Sequence, residues 1–270
     1  MSRYKLVRWA VVLGMALAVS LAHAQDRGFI TIASTTSTEN SGLFESIIPQ
    51  FEDETGIEVR VVAVGTGQAL RIGCNGDADA VLVHAPAAEQ QFIDDGCGVD
   101  RREIMYNDFV IIGPGNDPAG VADADSATEA FGIIADAEAP FASRGDDSGT
   151  HKKELGIWSE AGVDPSGSWY RELGSGMGAA LNTAAGMDAY IMADRGTWIS
   201  FDNRQNLEIL FEGDPILFNQ YGSVLVNPEA HDVKHDLAMV WHDWLVSEQG
   251  QAAIGAYRLR GQQLFTPNAE

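Results

Sequence analysis

Three short segments, each set between an apolar run and an amphipathic one, constrain this chain more than anything else in it. They are Ser34-Thr35-Thr36-Ser37-Thr38, Gly65-Thr66-Gly67-Gln68, and Ser143-Arg144-Gly145-Asp146-Asp147-Ser148-Gly149-Thr150. Each reads as the turn from a strand into a helix. The runs before them (29–33, 57–64 and 140–143) are apolar or β-branched. The stretch 40–54 carries Leu43, Phe44, Ile47, Ile48 and Phe51 at helical spacing and closes at Gly56. A third strand at 79–83 and a helix at 87–94 continue the alternation, which is the βαβ pattern of a parallel sheet covered by helices. In such sheets ligands sit beyond the carboxyl ends of the strands, where helix N-termini offer unpaired N–H groups to anions. The hydroxyls and glycines of the three turns suit that task.

Composition sets the address. Residues 1–24 read as a secretory signal, with Arg3, Lys5 and Arg8 ahead of an apolar stretch and Ala22-His23-Ala24 as the cleavage site. The apolar stretch is too short for a comfortable span, and no cysteine near the cut would take a lipid. A periplasmic protein of 246 residues is therefore expected. Taking the three basic residues of the signal from 17 leaves 14 Lys and Arg against 39 Asp and Glu, a charge near −25. That opposes binding to nucleic acid or to an anionic membrane surface. Any anion seat must work through aimed hydrogen bonds. Cys74 and Cys97 each flank turn residues; in an exported chain two cysteines usually form one disulfide, the alternatives being two unpaired thiols or a metal pair.

A strand at 107–113 is followed by Gly113-Pro114-Gly115 and Asp117-Pro118, which read as a crossing into a second lobe. That lobe holds helices at 126–137, from about 148, and through about 185, with strands at 140–143 and 209–211. A strand at 223–226 and a long helix at 230–246 return to the first. The expected organisation is a signal at 1–24, lobe I from 25–110 and 216–270, and lobe II from 111–215, a discontinuous two-lobe α/β protein with two crossover strands.

Enzyme readings fare poorly. No Walker sequence is present, and Gly174-x-Gly176-x-Gly178 has the wrong spacing for a dinucleotide turn. Gly174-Ser175-Gly176 fails the nucleophile-elbow pattern. His151, three residues past Ser148, fits capping or packing better than base catalysis. His231, His235 and His242 fall within about 40° on one face of the expected last helix, but span roughly 16 Å of it, too far to grip one ion. They read as the edge of a core, with Leu237, Trp241 and Trp244 on its buried side. Trp169, Tyr190 and Trp198 read as core or hinge packing.

Five blocks carry a resemblance. They are Ala33-Ser34-Thr35-Thr36-Ser37-Thr38-Glu39-Asn40-Ser41-Gly42-Leu43, Val64-Gly65-Thr66-Gly67-Gln68-Ala69-Leu70, Val83-His84-Ala85-Pro86-Ala87-Ala88-Glu89, Met105-Tyr106-Asn107-Asp108-Phe109-Val110, and 143–154. In this order they resemble the tungstate-binding proteins of bacterial tungstate ABC transporters. The usual opening Thr-Thr-Thr-Ser is here Ser34-Thr35-Thr36-Ser37, so a hydroxyl is kept. The resemblance implies a type II periplasmic binding fold, mixed or parallel sheets covered by helices, and a bare oxyanion held without metal or cofactor. It also implies delivery to an ABC permease by a monomeric binding protein.

The candidate ligand-binding residues are Ser34, Thr35, Thr36, Ser37, Thr66, Gly67, Ser143, Arg144, Ser148, Gly149 and Thr150. A tetrahedral dianion accepts hydrogen bonds and donates none, so hydroxyls and N–H groups satisfy it. Arg144 is the one cation in the three turns. Asp146 and Asp147 read as partners of Arg144 or caps of the following helix; the sharper alternative has one of them accept a proton from hydrogen phosphate. Tungstate is the expected ion, molybdate and phosphate the alternatives, and an oxyanion-sensing subunit of a membrane receptor the alternative of a different class.

Overall fold

The computed structural model describes residues 28–146 and 148–269. The signal expected at 1–24 and Asp147 of the third turn lie outside them. The chain begins β1 (Phe29–Thr35), α1 (Thr36–Asn40), α2 (Leu43–Thr55), β2 (Glu58–Val64), α3 (Thr66–Cys74), β3 (Ala80–Val83), α4 (Pro86–Asp94) and β4 (Gly98–Pro114). Next come α5 (Ala127–Asp136), β5 (Phe141–Ser143), α6 (Gly149–Glu160), β6 (Tyr170–Glu172), α7 (Met177–Met187), β7 (Ile191–Asp194), α8 (Arg195–Ser200) and β8 (Leu207–Phe211). It ends with β9 (Phe218–Val226), α9 (His235–Val246), α10 (Glu248–Ala256), β10 (Arg258–Leu259), β11 (Gln262–Gln263) and β12 (Thr266–Pro267).

The main sheet runs β12-β4-β9-β3-β1-β2. Strands β2, β1 and β3 are parallel, β9 pairs antiparallel with β3, and β4 pairs antiparallel with β9. All four residues of β3 are buried, as a strand covered on both faces requires. Helix α2 buries Leu43, Phe44, Ile47 and Phe51, and Phe51 meets the rings of Trp241 and Trp244 edge-on at 5.0 and 5.6 Å. The helix expected at 40–54 is α2, starting at Leu43, and a separate short helix, α1, occupies the end of the first hydroxyl turn. Gly42 takes a left-handed φ of 80° between α1 and α2, a conformation open to glycine at little cost. The turn is fastened by the Tyr257 hydroxyl donating to the Ser41 carbonyl.

Strand β4 is longer than the expected 107–113, and its first half was illegible for a physical reason. Bulges at Val99/Arg101 and Glu103/Met105 break the alternation. The charged run Asp100-Arg101-Arg102-Glu103 is consumed in ion pairs, Arg101 with Glu89 and Glu103, Arg102 with Asp100 and Asp243. From Gly98 to Asp108 the strand pairs with β9; from Phe109 onward it pairs with β7 and β8 instead. The chain rejoins the first sheet at Phe218. Two segments thus cross between two α/β lobes. The second lobe packs Phe131, Phe141 and Trp158 in a buried aromatic cluster against Trp169 and Tyr170. Tyr190 and Trp198 are buried, while Trp169 packs at the edge of the core.

The last long helix begins at His235, not 230. Residues Asn227 to Val233 turn, with Ala230 and His231 both donating N–H to the Asn227 carbonyl. The Asp79 carboxylate then receives the Lys234 N–H at 2.8 Å, which fixes where the helix starts. His231 is therefore off the helix, and His242 is fully buried, so the expected one-face row of histidines does not form.

Cys74 and Cys97 form a disulfide, Cα atoms 4.7 Å apart, tying the end of α3 to the turn before β4. The intact mass of the secreted chain without reductant is expected to be two hydrogens below that of the reduced chain. Labelling of both thiols in native protein would contradict this.

Candidate functional site

The first turn has almost no loop. Strand β1 runs through Ser34 and Thr35 directly into α1. Thr35 is the N-cap, its Oγ1 accepting from the Thr38 N–H at 3.2 Å. The same oxygen lies 2.7 Å from Thr38 Oγ1 and 2.9 Å from Ser37 Oγ. Ser34 is buried and donates its hydroxyl to the Leu82 carbonyl at 2.6 Å, so its proton belongs to the sheet. Thr36 and Ser37 are exposed. With five residues, α1 contributes hydroxyls rather than a helix N-terminus of any consequence.

The second turn lies beside the first, because Thr35 pairs with Val64 across β1 and β2. Gly65 is extended and caps α3 with its carbonyl, which accepts from Gln68 and Ala69 at 2.9 Å. The amides of Thr66 and Gly67 precede the first intrahelical acceptor and face outward from the helix start. A Cβ on Gly65 would meet nothing within 4 Å. Arg71, one turn on, brings Nη1 within 3.6 Å of where a Gly67 Cβ would stand. Sequence reasoning passed over this second guanidinium. The signal was its spacing, four residues past Gly67, since side chains on a helix lean toward the N-terminus.

The third turn follows β5 in the second lobe. Arg144 donates Nε to Asp146 Oδ2 at 3.1 Å and pairs with the same oxygen through Nη2. Its Nη1 lies 3.5 Å from Thr150 Oγ1. Asp146 Oδ1 accepts from the Ser148 N–H at 3.2 Å. Burial pushes the Asp146 carboxyl up, but the bonds from Ser148 and Arg144 outweigh it and hold the group below its usual range. Asp146 thus pairs with Arg144 as expected and holds the amide of Ser148, the residue that caps the helix. Ser148 caps α6 by accepting from the His151 N–H, Gly149 is exposed, and Thr150 is buried. The Leu173 and Ser175 amides donate to the Ser143 and Arg144 carbonyls, which brings the start of α7 alongside. Among the described residues no hydrogen bond links this turn to the first two.

Beneath the third turn, buried Ser143 lies beside a buried carboxyl. Glu154 Oε1 accepts from Tyr170 at 2.8 Å and from Trp158 Nε1 at 3.2 Å. Burial lifts Glu154 to about 7 despite the hydrogen bonds from Tyr170 and Trp158. The folded pKa is above the unfolded one, so this contribution to stability is full below the unfolded value. It is lost as pH rises through about 7. Glu154→Gln removes the titration, so between about pH 5 and pH 8 the variant is expected to gain stability relative to wild type. Parallel melting-temperature profiles of the two proteins would contradict this.

A polar path missed by sequence reasoning links the first turn to both crossover strands. Ser37 Oγ lies 3.1 Å from His84 Nε2, His84 Nδ1 lies 3.3 Å from Asn219 Oδ1, and Asn219 donates to Asn107 Oδ1 at 2.9 Å. His84 directly follows β3, the strand beside β1, so its place beyond a carboxyl end was the available signal. The shallow hollows around Lys234 and Asp79 lie at the opposite, amino ends of β1 and β3.

The arrangement can hold a small anion by donors alone. Comparison with known proteins agrees in both sequence and fold. The PBP superfamily domain profile matches residues 21–249. The chain is 46% identical over 250 residues to the tungstate-binding protein TupA of Peptoclostridium acidaminophilum, covering 91% of this chain and 87% of that one. The solved tungstate-binding protein TupA from Desulfovibrio alaskensis G20 is 49% identical with a TM-score of 0.85, covering 90% of this chain and all of that one. A structure described as the tungstate ABC transporter from Geobacter sulfurreducens is 49% identical with a TM-score of 0.74, over 85% and 98% of the two chains.

Proposed function

The chain belongs to the tungstate-binding protein family of the PBP superfamily, and on that premise we propose that it captures a tungstate dianion between its two lobes. The lobes in this reading are 25–110 with 216–270, and 111–215. The first lobe offers Thr35, Thr36, Ser37, Thr66 and Gly67; the second offers Arg144, Ser148, Gly149 and Thr150, with Arg71 as a further positive charge at the rim. Ser34 and Ser143 shape the turns from beneath. The protein works in the periplasm as a monomer after removal of residues 1–24, and hands the ion to an ABC permease.

The observation that carries the choice of ion is the state of Asp146. Both its oxygens are already in use, one by Arg144 and one by the Ser148 N–H. Three of its roughly four acceptor sites are taken, so the carboxylate among the third turn's described residues that could accept a proton from hydrogen phosphate is largely committed to the protein, and its like-charge repulsion toward that ion goes unrelieved. A fully deprotonated dianion is the better fit. Micromolar to subnanomolar binding needs roughly 8–12 kcal/mol or more, so several donors and closure of the lobes act together. Parallel calorimetric titrations with tungstate, molybdate, sulfate and phosphate test the reading. Tungstate is expected to bind most tightly; phosphate binding more tightly than tungstate would overturn it.

A further inference from the structure

The hydroxyls of the first turn lead to a histidine, and the direction of their protons has a consequence for binding. Asn219 gives its Nδ2 to Asn107 Oδ1, so the atom it turns toward His84 Nδ1 is an oxygen, which only accepts. In the neutral ring the proton therefore sits on Nδ1, and Nε2 presents a lone pair to Ser37. The Ser37 O–H is spent on His84. Behind it, Thr35 Oγ1 is within hydrogen-bond distance of both Ser37 Oγ and Thr38 Oγ1. The hydroxyl protons thus form a row that ends on the imidazole. An arriving oxyanion, which can only accept, meets a serine whose hydrogen points elsewhere.

From this juxtaposition we propose that His84 positions the proton of the anion-binding hydroxyl: as the dianion binds, His84 takes one proton from solvent at Nε2, its new N–H donates to Ser37 Oγ, and the Ser37 O–H turns to the ligand. The inference rests on the tungstate reading above. No bond other than this N–H forms or breaks within the protein. Without ligand the ring stays neutral, because burial lowers its pKa against opposing contributions from Asn219 and the Asp194 carboxylate.

The groups around the ring come from four elements. Asp194, at the start of α8, is itself held by the Thr197 N–H and hydroxyl. Tyr221 of β9 lies against the ring, centroids 4.8 Å apart. Ser37 comes from α1. On α4, Glu89 accepts the Ala85 N–H and pairs with Arg101. A dianion beside Ser37 adds charge that favours the imidazolium. Linkage is reciprocal, so the proton strengthens anion binding by the same factor.

Titration calorimetry of the secreted protein with sodium tungstate, at several pH values and in two buffers of different ionisation enthalpy, counts the protons directly. Uptake approaching one proton per ion is expected. Where uptake is complete, between the pKa of the free ring and that of the complex, affinity falls about tenfold per pH unit, and it levels off above the pKa of the complex. His84→Gln places a permanent N–H donor toward Ser37 and is expected to bind tungstate without proton uptake and with an affinity that ignores pH. Nitrogen-15 spectra of the wild-type imidazole give a readout free of substitution, with one ring proton before tungstate and two after. Tungstate binding without uptake, or equal uptake by wild type and His84→Gln, would overturn the inference and leave the tungstate reading standing. A wild-type protein that binds no tungstate at any pH sinks both.

Discussion

Arg144→Ala is expected to weaken tungstate binding by about ten- to one-hundred-fifty-fold while the fold survives. The figure follows from a charge-assisted hydrogen bond, worth roughly 1.5–3 kcal/mol. The loss has two parts. The guanidinium's own contacts go, and the Asp146 carboxylate it had neutralised is left facing the dianion. The second part can be recovered separately. Arg144→Ala with Asp146→Asn keeps an oxygen for the Ser148 N–H but removes the charge, and is expected to regain a measurable share of the affinity. Arg144→Lys should rescue only partly, because a point ammonium cannot reach both Asp146 and Thr150 as the planar fork does. Calorimetric affinities for the three variants decide it. Unchanged affinity in Arg144→Ala would remove this residue from the site.

The largest loss of stability from a single polar change is expected at the junction of the lobes. Asp108 is the last residue of β4 to pair with β9, and Arg195 opens α8 next to it. Arg195 grips Asp108 with Nε and Nη2 at 2.6 and 2.5 Å and holds Glu212 at 2.6 Å. The hydrogen bonds it donates to Asp108 raise the guanidinium's already high pKa. Arg195 and Asp108 are 20% and 14% exposed, so removing the arginine strands a largely buried carboxylate; Glu212, at 52%, contributes little. Breaking such a pair costs about 3 kcal/mol, and for a chain of this size that lowers the melting temperature by roughly 6–12 °C. Adding Asp108→Asn to Arg195→Ala is expected to recover more than half of the drop. A melting temperature unmoved by Arg195→Ala would mean the pair holds nothing.

Both predictions concern residues that sequence reading treated very differently. Arg144 stood out because it was the one cation in a hydroxyl-rich turn. Arg195, Asp108 and Glu212 are separated by 87 and 17 positions, and only the crossover of β4 brings them together. The strand and helix alternation of the first lobe was readable because β1 and β3 are parallel and buried and the edge strand β2 is rich in β-branched residues, so each leaves a recognisable run followed by an amphipathic one. The first half of β4 was hidden by bulges and by a charged run neutralised across distant elements. Helix α1 was hidden because its five residues, Thr36–Asn40, are all polar and carry no apolar periodicity. Among the candidate site residues, composition located the three turns but not the direction of a hydroxyl. Ser34 donates into the sheet, and Ser37 lies 3.1 Å from His84, a residue whose position just past the end of β3 is a property of the sheet order.

The central claim is that the three turns, two from one lobe and one from the other, hold one oxyanion together. A crystal structure of the secreted protein with tungstate tests this most directly, since the tungsten atom can be located by its anomalous scattering. One site is expected, with its oxygens within hydrogen-bond reach of Ser37, of the Thr66 or Gly67 amide, and of Arg144. A tungsten atom bound through one lobe only, or away from all three turns, would contradict the account.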